Sequence, residues 1–404
     1  MKNTHTTLAM VAAICTTTPA FALVVDDAYV QTNGGVITGD FTGTPAAPAI
    51  LITTTLPVVI LNAMLESSGD FIVGQGKNDI TVLNCTAVAD NPNVRGKQKG
   101  IFLRVTNPVN VAMRYNVIQG VRIGLYVSGY TGNHTHNQTI SVIGNNFLNI
   151  DGRPSDGNNG YSESGQYNGQ AIHMGNAYNV QAMEFAWNQV INQPNQSATG
   201  AIFEFSETSG TASSPVRVHD NYLQGAFPAS PGKDLYQFGG MEVDGATNDT
   251  LATTSAFINF YNNQIVATAN YGIAIMAGHD INFSNNRVVS SGYTGNGVFY
   301  PMSGGYGAAY GAYNNNQLNL PPTLFFNNNI MGNTLGLIRK SGNSAPTGTG
   351  TPTRADWSLP GQGGSAEGNV DFQPNSSTSP TTTDEASELI AFQAKLRENV
   401  AAVK

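Results

Sequence analysis

Cysteine is almost missing from this chain: 404 residues hold two, Cys15 and Cys85. Residues 1–22 read as a secretory signal peptide, with Lys2 as the positive start, Leu8–Ile14 as the apolar run and Pro19-Ala20-Phe21-Ala22 as a small-residue cleavage site before Leu23. Bulky Ile14 speaks against a lipoprotein reading through Cys15. Cys15 therefore leaves with the leader, and Cys85 alone cannot form an internal disulfide. Long apolar runs are also missing, and Leu8–Ile14 is far too short to span a bilayer. The expected location is secreted, extracellular or periplasmic, with no membrane partner after the signal is cut. Charge is scarce too, at 11% of residues with a net charge of −8. Losing Lys2 leaves 17 basic residues against 26 acidic ones. So few cations argue against nucleic acid, anionic membranes or a broad basic groove as partners or sites.

What is present is one short strand written many times. Ile258–Ile265 reads INFYNNQI and Ile281–Val288 reads INFSNNRV, with Asn263 and Asn286 spaced 23 residues apart. Taking that asparagine as an anchor, further copies fall at Asn116, Asn146, Asn188, Asn221 and Asn329. Positions −5, −3 and +2 from the anchor are apolar in 20 of 21 cases, Ser141 being the exception, whereas −4 and −2 are apolar in four of 14. That is period-two alternation with a fixed inner face. Cys85 fits as another copy, with Ile80 and Val82 inside, which makes it a buried, inert thiol.

A strand recurring every 23 to 43 residues predicts a solenoid, because one repeat cannot bury its own apolar face. Positions −3 and +2 are an odd number of residues apart, so the chain must bend near the anchor to turn both inward. Asparagine suits such a bend, and stacked amides form a ladder. From about Ile80 to Met331 the chain resembles the right-handed parallel β-helix superfamily, the pectate-lyase-like proteins. The expected fold is all-β: a single-stranded right-handed parallel β-helix of eight or nine rungs with a C-terminal α-helix. That superfamily hosts lyases, hydrolases, esterases, epimerases and tailspikes, so the resemblance implies architecture more than activity.

Residues 23–340 should form this one domain, with 23–79 as its N-terminal cap and first turns; Asn62, 23 residues before Cys85, is a candidate earlier anchor. Residues 341–382 turn to Gly, Ser, Thr and Pro and read as a linker or external strap. Residues 383–404 read as an amphipathic helix, opened by a Thr382–Glu385 capping box and carrying Leu389, Phe392, Leu396, Val400 and Val403 on one face. The helix either docks on the solenoid or forms a homo-oligomer through 383–404.

A second recurring strand carries the chemistry. Its inner residues are Ile172, Met174, Phe203, Phe205, Met241, Val243, Ile273 and Ile275. Its outer set includes Arg104, Arg122, Tyr126, His173, Glu204, Glu242, Asp244 and Ala274. Long connections flank this strand on both sides, at 129–139, 151–169, 207–215, 226–239, 245–255 and 303–323, and should wall a cleft over its sheet. His173, Glu204, Glu242 and Asp244 then fall on three consecutive rungs, about 4.8 Å apart, as candidate catalytic residues. Crowded carboxylates cannot all ionise, and a protonated acid beside an ionised one is what glycosidic cleavage uses. The same group could instead hold a divalent cation such as calcium. Arg104, Arg122 and Tyr126, with loop tyrosines Tyr161, Tyr167, Tyr306 and Tyr310, are candidate substrate-binding residues, since flat rings with polar tips suit sugars. His219-Asp220 reads as structural.

The expected function is a secreted protein that cleaves or binds an extracellular polysaccharide, as a lyase or a glycoside hydrolase. The alternative is a non-catalytic adhesin or surface fibre of tailspike type. The chain carries neither the paired aspartates of polygalacturonases, nor the Asp-Pro-His-Asp of mannuronan epimerases, nor the calcium-aspartate cluster and Arg-x-Pro-x-Arg of pectate lyases.

Overall fold

The computed structural model describes residues 22–402, apart from 164–168, 231–238, 247, 270, 294–296, 298–306, 310–311, 314–317, 320–322, 337–369, 372–375 and 379–380. Three parallel sheets run the length of a β-helix solenoid, the first of ten strands and the second and third of eleven each. Each rung contributes one strand to each sheet in turn, beginning with Leu23–Val25, Val36–Ile37 and Asp40–Gly43. Among the described residues ten rungs are complete, one or two more than the sequence suggests, because the repeat begins at Leu23, where the anchor is no longer asparagine. Within the 341–382 segment, Val370–Asp371 and Ser376–Thr378 add last strands to the second and third sheets; the rest of that segment, apart from Thr381 and Thr382, lies outside the described residues.

The inner faces are as the alternation requires. Val111, Met113 and Ile118, Phe185 and Val190, and Ile258, Phe260 and Ile265 are fully buried. Phe185, Phe205, Phe260 and Phe283 pack in a chain inside the solenoid, the first two contacts edge to face and the last face to face, with ring centroids 5.1, 5.4 and 4.1 Å apart. Cys85 is buried, its thiol pushed up by burial.

The asparagine ladder exists, with two corrections to its membership. Asn116, Asn145, Asn188, Asn221, Asn263, Asn286 and Asn333 form one buried row. Each Nδ2 donates to the next Oδ1, as Asn221 does to Asn263 at 2.9 Å, and also to a backbone carbonyl of the rung below, here Phe185 at 2.9 Å. Asn145, not Asn146, holds the row, so the inner residues of that rung are Ile140, Val142 and Phe147 rather than Ser141, Ile143 and Leu148. In an Asn-Asn pair a slip of one residue exchanges the two faces, and polar Ser141 marks that slip. Asn329 is likewise replaced by Asn333, since the corner of that rung is made by Gly332-Asn333.

The bend is made by the residue before each anchor. Asn62, Asn84, Tyr115, Gly144, Trp187, Asp220, Asn262, Asn285 and Gly332 all have φ between 51° and 71°. Asn62 is therefore the bend of its rung, pairing with Asn84, while Ala63 takes the anchor position. This left-handed conformation costs a residue with a β-carbon about 1–2 kcal/mol, less for Asn and nothing for Gly. At this corner Tyr115 and Trp187 are the two positions where a large ring bears that cost; Phe257, with φ of 54°, bears it elsewhere.

The C-terminal helix, Thr382–Ala402, docks on the outer face of the third sheet. Phe392 is 1% exposed and packs against Tyr222 at 5.5 Å, and half-buried Leu389 and Leu396 join it. The side chain of Val400 and residue Val403 lie outside the described residues. The capping pair is Thr381 with Asp384, one residue before the Thr382–Glu385 box: Asp384 Oδ2 accepts from Thr381 N at 2.7 Å. Glu385 is instead drawn into the interface, where it accepts from the Ser291 backbone N–H. No helix among the described residues is long and apolar enough to cross a membrane.

Candidate functional site

The outer face of the first sheet carries one row of chemically active residues in strict register. Arg104, Tyr126, His173, Glu204 and Glu242 are paired rung to rung over five consecutive strands. Glycine before a period-two apolar strand sets this register, and Phe203 and Phe205, both fully buried, fix Glu204 outward. Asp244, two residues beyond Glu242, sits in register with Ser206 on the adjoining row. Arg122 precedes its strand, Ile123–Ser128, and lies off the row. The connections between third and first sheets and between first and second sheets are the long ones, so they leave both edges of this sheet, and the strip of outer face between them is the candidate groove. Ala274 continues the row above Glu242 and is fully buried, which closes the groove at that end.

The groove changes character along its length. At one end the Arg104 guanidinium pairs with Asp70 at 2.8 Å, and Arg122 Nη1 donates to Gln98 at 3.0 Å. In the middle, the Tyr126 and His173 rings stack with centroids 4.9 Å apart and planes 17° from parallel. His173 Nδ1 stands 3.4 Å from Glu204 Oε1, longer than a well-formed hydrogen bond, and Gln170 Nε2 donates to Glu204 Oε2 at 2.7 Å. At the far end Glu242, 9% exposed, accepts from the Tyr271 hydroxyl. Asp244 accepts from the Gly245 N–H at 2.8 Å.

These surroundings split the carboxyls into two kinds. Burial opposes charge on Glu204, but the His173 imidazole close beside it and the hydrogen bond from the Gln170 amide outweigh that and hold Glu204 below the usual carboxylate range. Glu242 meets burial and then the charges of Glu204 and Asp244, with no cation acting on it among the described residues, and is raised well above that range. Burial, together with Glu204, Asp249 and Glu207, pushes Asp244 up to about 7 despite its backbone hydrogen bond. One ionised carboxylate thus lies beside two that hold protons near neutrality, and environments that split neighbouring acids in this way assign base and acid roles. Adjacent rungs put Glu204 and Glu242 about 5 Å apart, and the diagonal to Asp244 is about 8 Å by strand geometry.

Several contributors escaped the sequence reading. Gln170, Tyr271, Glu207 and Asp249 all bear on the site. Gln170 is three residues before His173 on one strand and Glu207 three after Glu204, so strand neighbours of the candidates were the available signal. Tyr271 comes from the turn before the next rung, and its ring fits because Gly239 has no side chain: an added β-carbon would overlap the ring. Asp249 lies on an inserted loop and has no pattern to betray it.

The loop tyrosines divide. Tyr161 lies over a buried ion triad, in which Asp151 binds Lys99 at 3.0 Å and Arg153 at 2.7 Å, and its ring centroid is 4.5 Å from Lys99 Nζ and 5.2 Å from the Arg153 guanidinium carbon. It packs loop onto loop. Tyr167, Tyr306 and Tyr310 lie outside the described residues. Among the described residues no three histidine, cysteine or carboxylate side chains gather around a point that could hold a metal ion, so the calcium reading finds no ligand set there. His219 bridges Asp220 at 2.9 Å and Glu184 at 3.0 Å on the second sheet, away from the groove.

No family model, curated protein or solved structure matches this chain.

Proposed function

We propose that the protein is exported, loses its leader, and hydrolyses an extracellular polysaccharide lying in the groove over the first sheet. The observation that carries this is the placing of Glu204, Glu242 and Asp244 on adjoining rungs of one outer face, in surroundings that lower Glu204 and raise the other two. Glu204 serves as base, its charge kept by His173 and Gln170. Asp244, more accessible than Glu242, donates the proton to the leaving oxygen. Their diagonal of about 8 Å leaves room for a water and suits inversion of configuration. Glu242 sets the electrostatics between them. Tyr126, stacked on His173, offers a ring to a sugar face, and Arg104 and Arg122 offer cations at the other end. Membership of the pectate-lyase-like superfamily is part of this proposal and rests on the parallel solenoid.

A lyase would use His173 as the base and the arginines to neutralise a uronate. The experiment is a polysaccharide panel read for new reducing ends and for ultraviolet-absorbing unsaturated sugars, with wild type, Glu204→Gln, Asp244→Asn and His173→Ala. Reducing ends without unsaturation, lost in Glu204→Gln and Asp244→Asn, support hydrolysis. Unsaturated products lost in His173→Ala overturn it in favour of a lyase. If nothing is cut, and deleting 383–404 turns an oligomer into a monomer, the adhesin reading replaces both.

A further inference from the structure

The corner between the second and third sheets carries a feature the groove does not use. Seven of its nine left-handed positions hold Asn, Asp or Gly, which accept that conformation readily, but Tyr115 and Trp187 hold φ of 56° and 59°. Strained conformations on bulky residues persist where the surroundings or a function demand the side chain. The Tyr115 ring is 59% exposed, so packing does not demand it. It leans over Gly144 on the rung between, where an added β-carbon would lie 2.7 Å from the ring. Trp187 stands two rungs from Tyr115, about 10 Å along the solenoid, roughly a disaccharide's length; it is half-buried, one part of its ring packed against the core and the rest facing out. The floor continues past Trp187 as a stacked His219–Tyr261 pair, centroids 4.7 Å apart and planes 7° from parallel.

Beside these rings the cations Arg114 and Arg217 offset the carboxylates Glu184 and Asp220. Arg217 pairs with Glu184 at 3.0 Å, and His219 lies between Glu184 and Asp220. A surface with rings, polar groups and no net charge offers little to an ionic ligand. It also lacks the broad apolar centre of a protein interface. We propose that this corner, from Tyr115 through Trp187 to Tyr261, is a second glycan-contact surface that holds a neutral oligosaccharide along the solenoid axis by stacking. It stands independently of the hydrolase reading, since it lies on different sheets and uses no groove residue.

The test is affinity electrophoresis of the full chain in gels containing β-glucan, xylan, mannan or galactan. The variants are Tyr115→Asn and Trp187→Asn, which remove the rings and relieve the left-handed strain. The expected result is retardation of wild type by at least one neutral glycan, a loss of about tenfold in apparent affinity in each variant, and, for exposed Tyr115→Asn, a melting temperature equal to or above wild type. Glu204→Gln should retain the retardation, which separates failure of this surface from failure of the groove. In a Trp357→Phe background, Trp187 is the remaining tryptophan, and its emission should shift with the same glycan. Absence of retardation in all four gels overturns the proposal, as does undiminished retardation of Tyr115→Asn. Should Trp187→Asn fail to fold, Tyr115→Asn alone decides. A dimer in wild type that dissociates in Tyr115→Asn, without a glycan effect, assigns the rings to contact with a second copy instead.

Discussion

Two regions of this chain bury glutamates, and they do so in opposite ways. Under the C-terminal helix, Glu388 is 6% exposed but met by Arg287 Nε at 3.0 Å and Gln264 Nε2 at 2.6 Å. In the groove, Glu242 is equally hidden and met by a tyrosine hydroxyl and two more acids. The first arrangement satisfies the charge it buries. The second leaves the charge unpaid, so the proton stays on. Burial is common to both; a counter-charge, present at Glu388 and absent at Glu242 among the described residues, distinguishes them, and groups with shifted acidity in a cleft are functional candidates for that reason. Glu385 blurs the contrast, since burial pushes it up to about 7 even though Ser291 donates to it.

The largest effect expected from this contrast is on turnover. Glu204→Gln should lower it by about 10²–10⁴-fold with little change in melting temperature, because an amide keeps the packing and loses the base. Reducing-end assays on the substrate found by the panel measure it. Next come two substitutions of the same kind with opposite signs. Glu388→Gln should destabilise the chain by about 1–3 kcal/mol, discounted because the Arg287 side chain is 48% exposed. Glu242→Gln should stabilise it at alkaline pH by about 1–2 kcal/mol, since no proton need be held. Urea titrations of the full chain read both, and equal signs would dissolve the distinction.

The pH dependence follows from raised acids in both regions. A carboxyl whose folded value is raised binds its proton more tightly folded than unfolded, so stability is greatest at acid pH and declines as pH rises. For Asp244 the decline spans 3.8 to about 7, and for Glu385 4.5 to about 7. Melting temperatures across that window should fall for wild type, and less steeply for Asp244→Asn. The smallest effect belongs to the helix start: Thr381→Ala removes the hydroxyl and should cost about 1 kcal/mol, seen as faster amide exchange in the first turn.

Much of the fold was legible because a solenoid repeats its evidence. Each rung states the same inner face, and seven copies overrode single exceptions. One error fell where two asparagines adjoin, at 145–146, since either could be the anchor and only the neighbouring alternation decides; the other fell at Asn329, where the bend is made by Gly332 and the anchor, Asn333, lies four residues on. The floor of the groove was legible for the same reason: His173, Glu204 and Glu242 inherit their direction from buried neighbours on each side. Tyr271 and Asp249 were not, because turns and inserted loops have no period, and their positions depend on contacts far along the chain. The helix was readable as amphipathic, but the apolar stripe gave no hint that two of its buried positions would be Glu385 and Glu388.

The rung between Asn263 and Asn286 is the shortest of the seven-asparagine row, 23 residues with no inserted loop. It is a complete unit of growth. Its top and bottom present the same donors and acceptors, and its Phe260 and Phe283 rings lie 4.1 Å apart and nearly parallel. A tandem duplication of residues 263–285 would therefore lengthen the rod by about 4.8 Å, repeat an existing interface, and leave the groove untouched. Loop insertion and rung duplication act on separate parts of this chain. Lineages of such a molecule can change length by copying bare rungs and change chemistry by elaborating loops, each without disturbing the other.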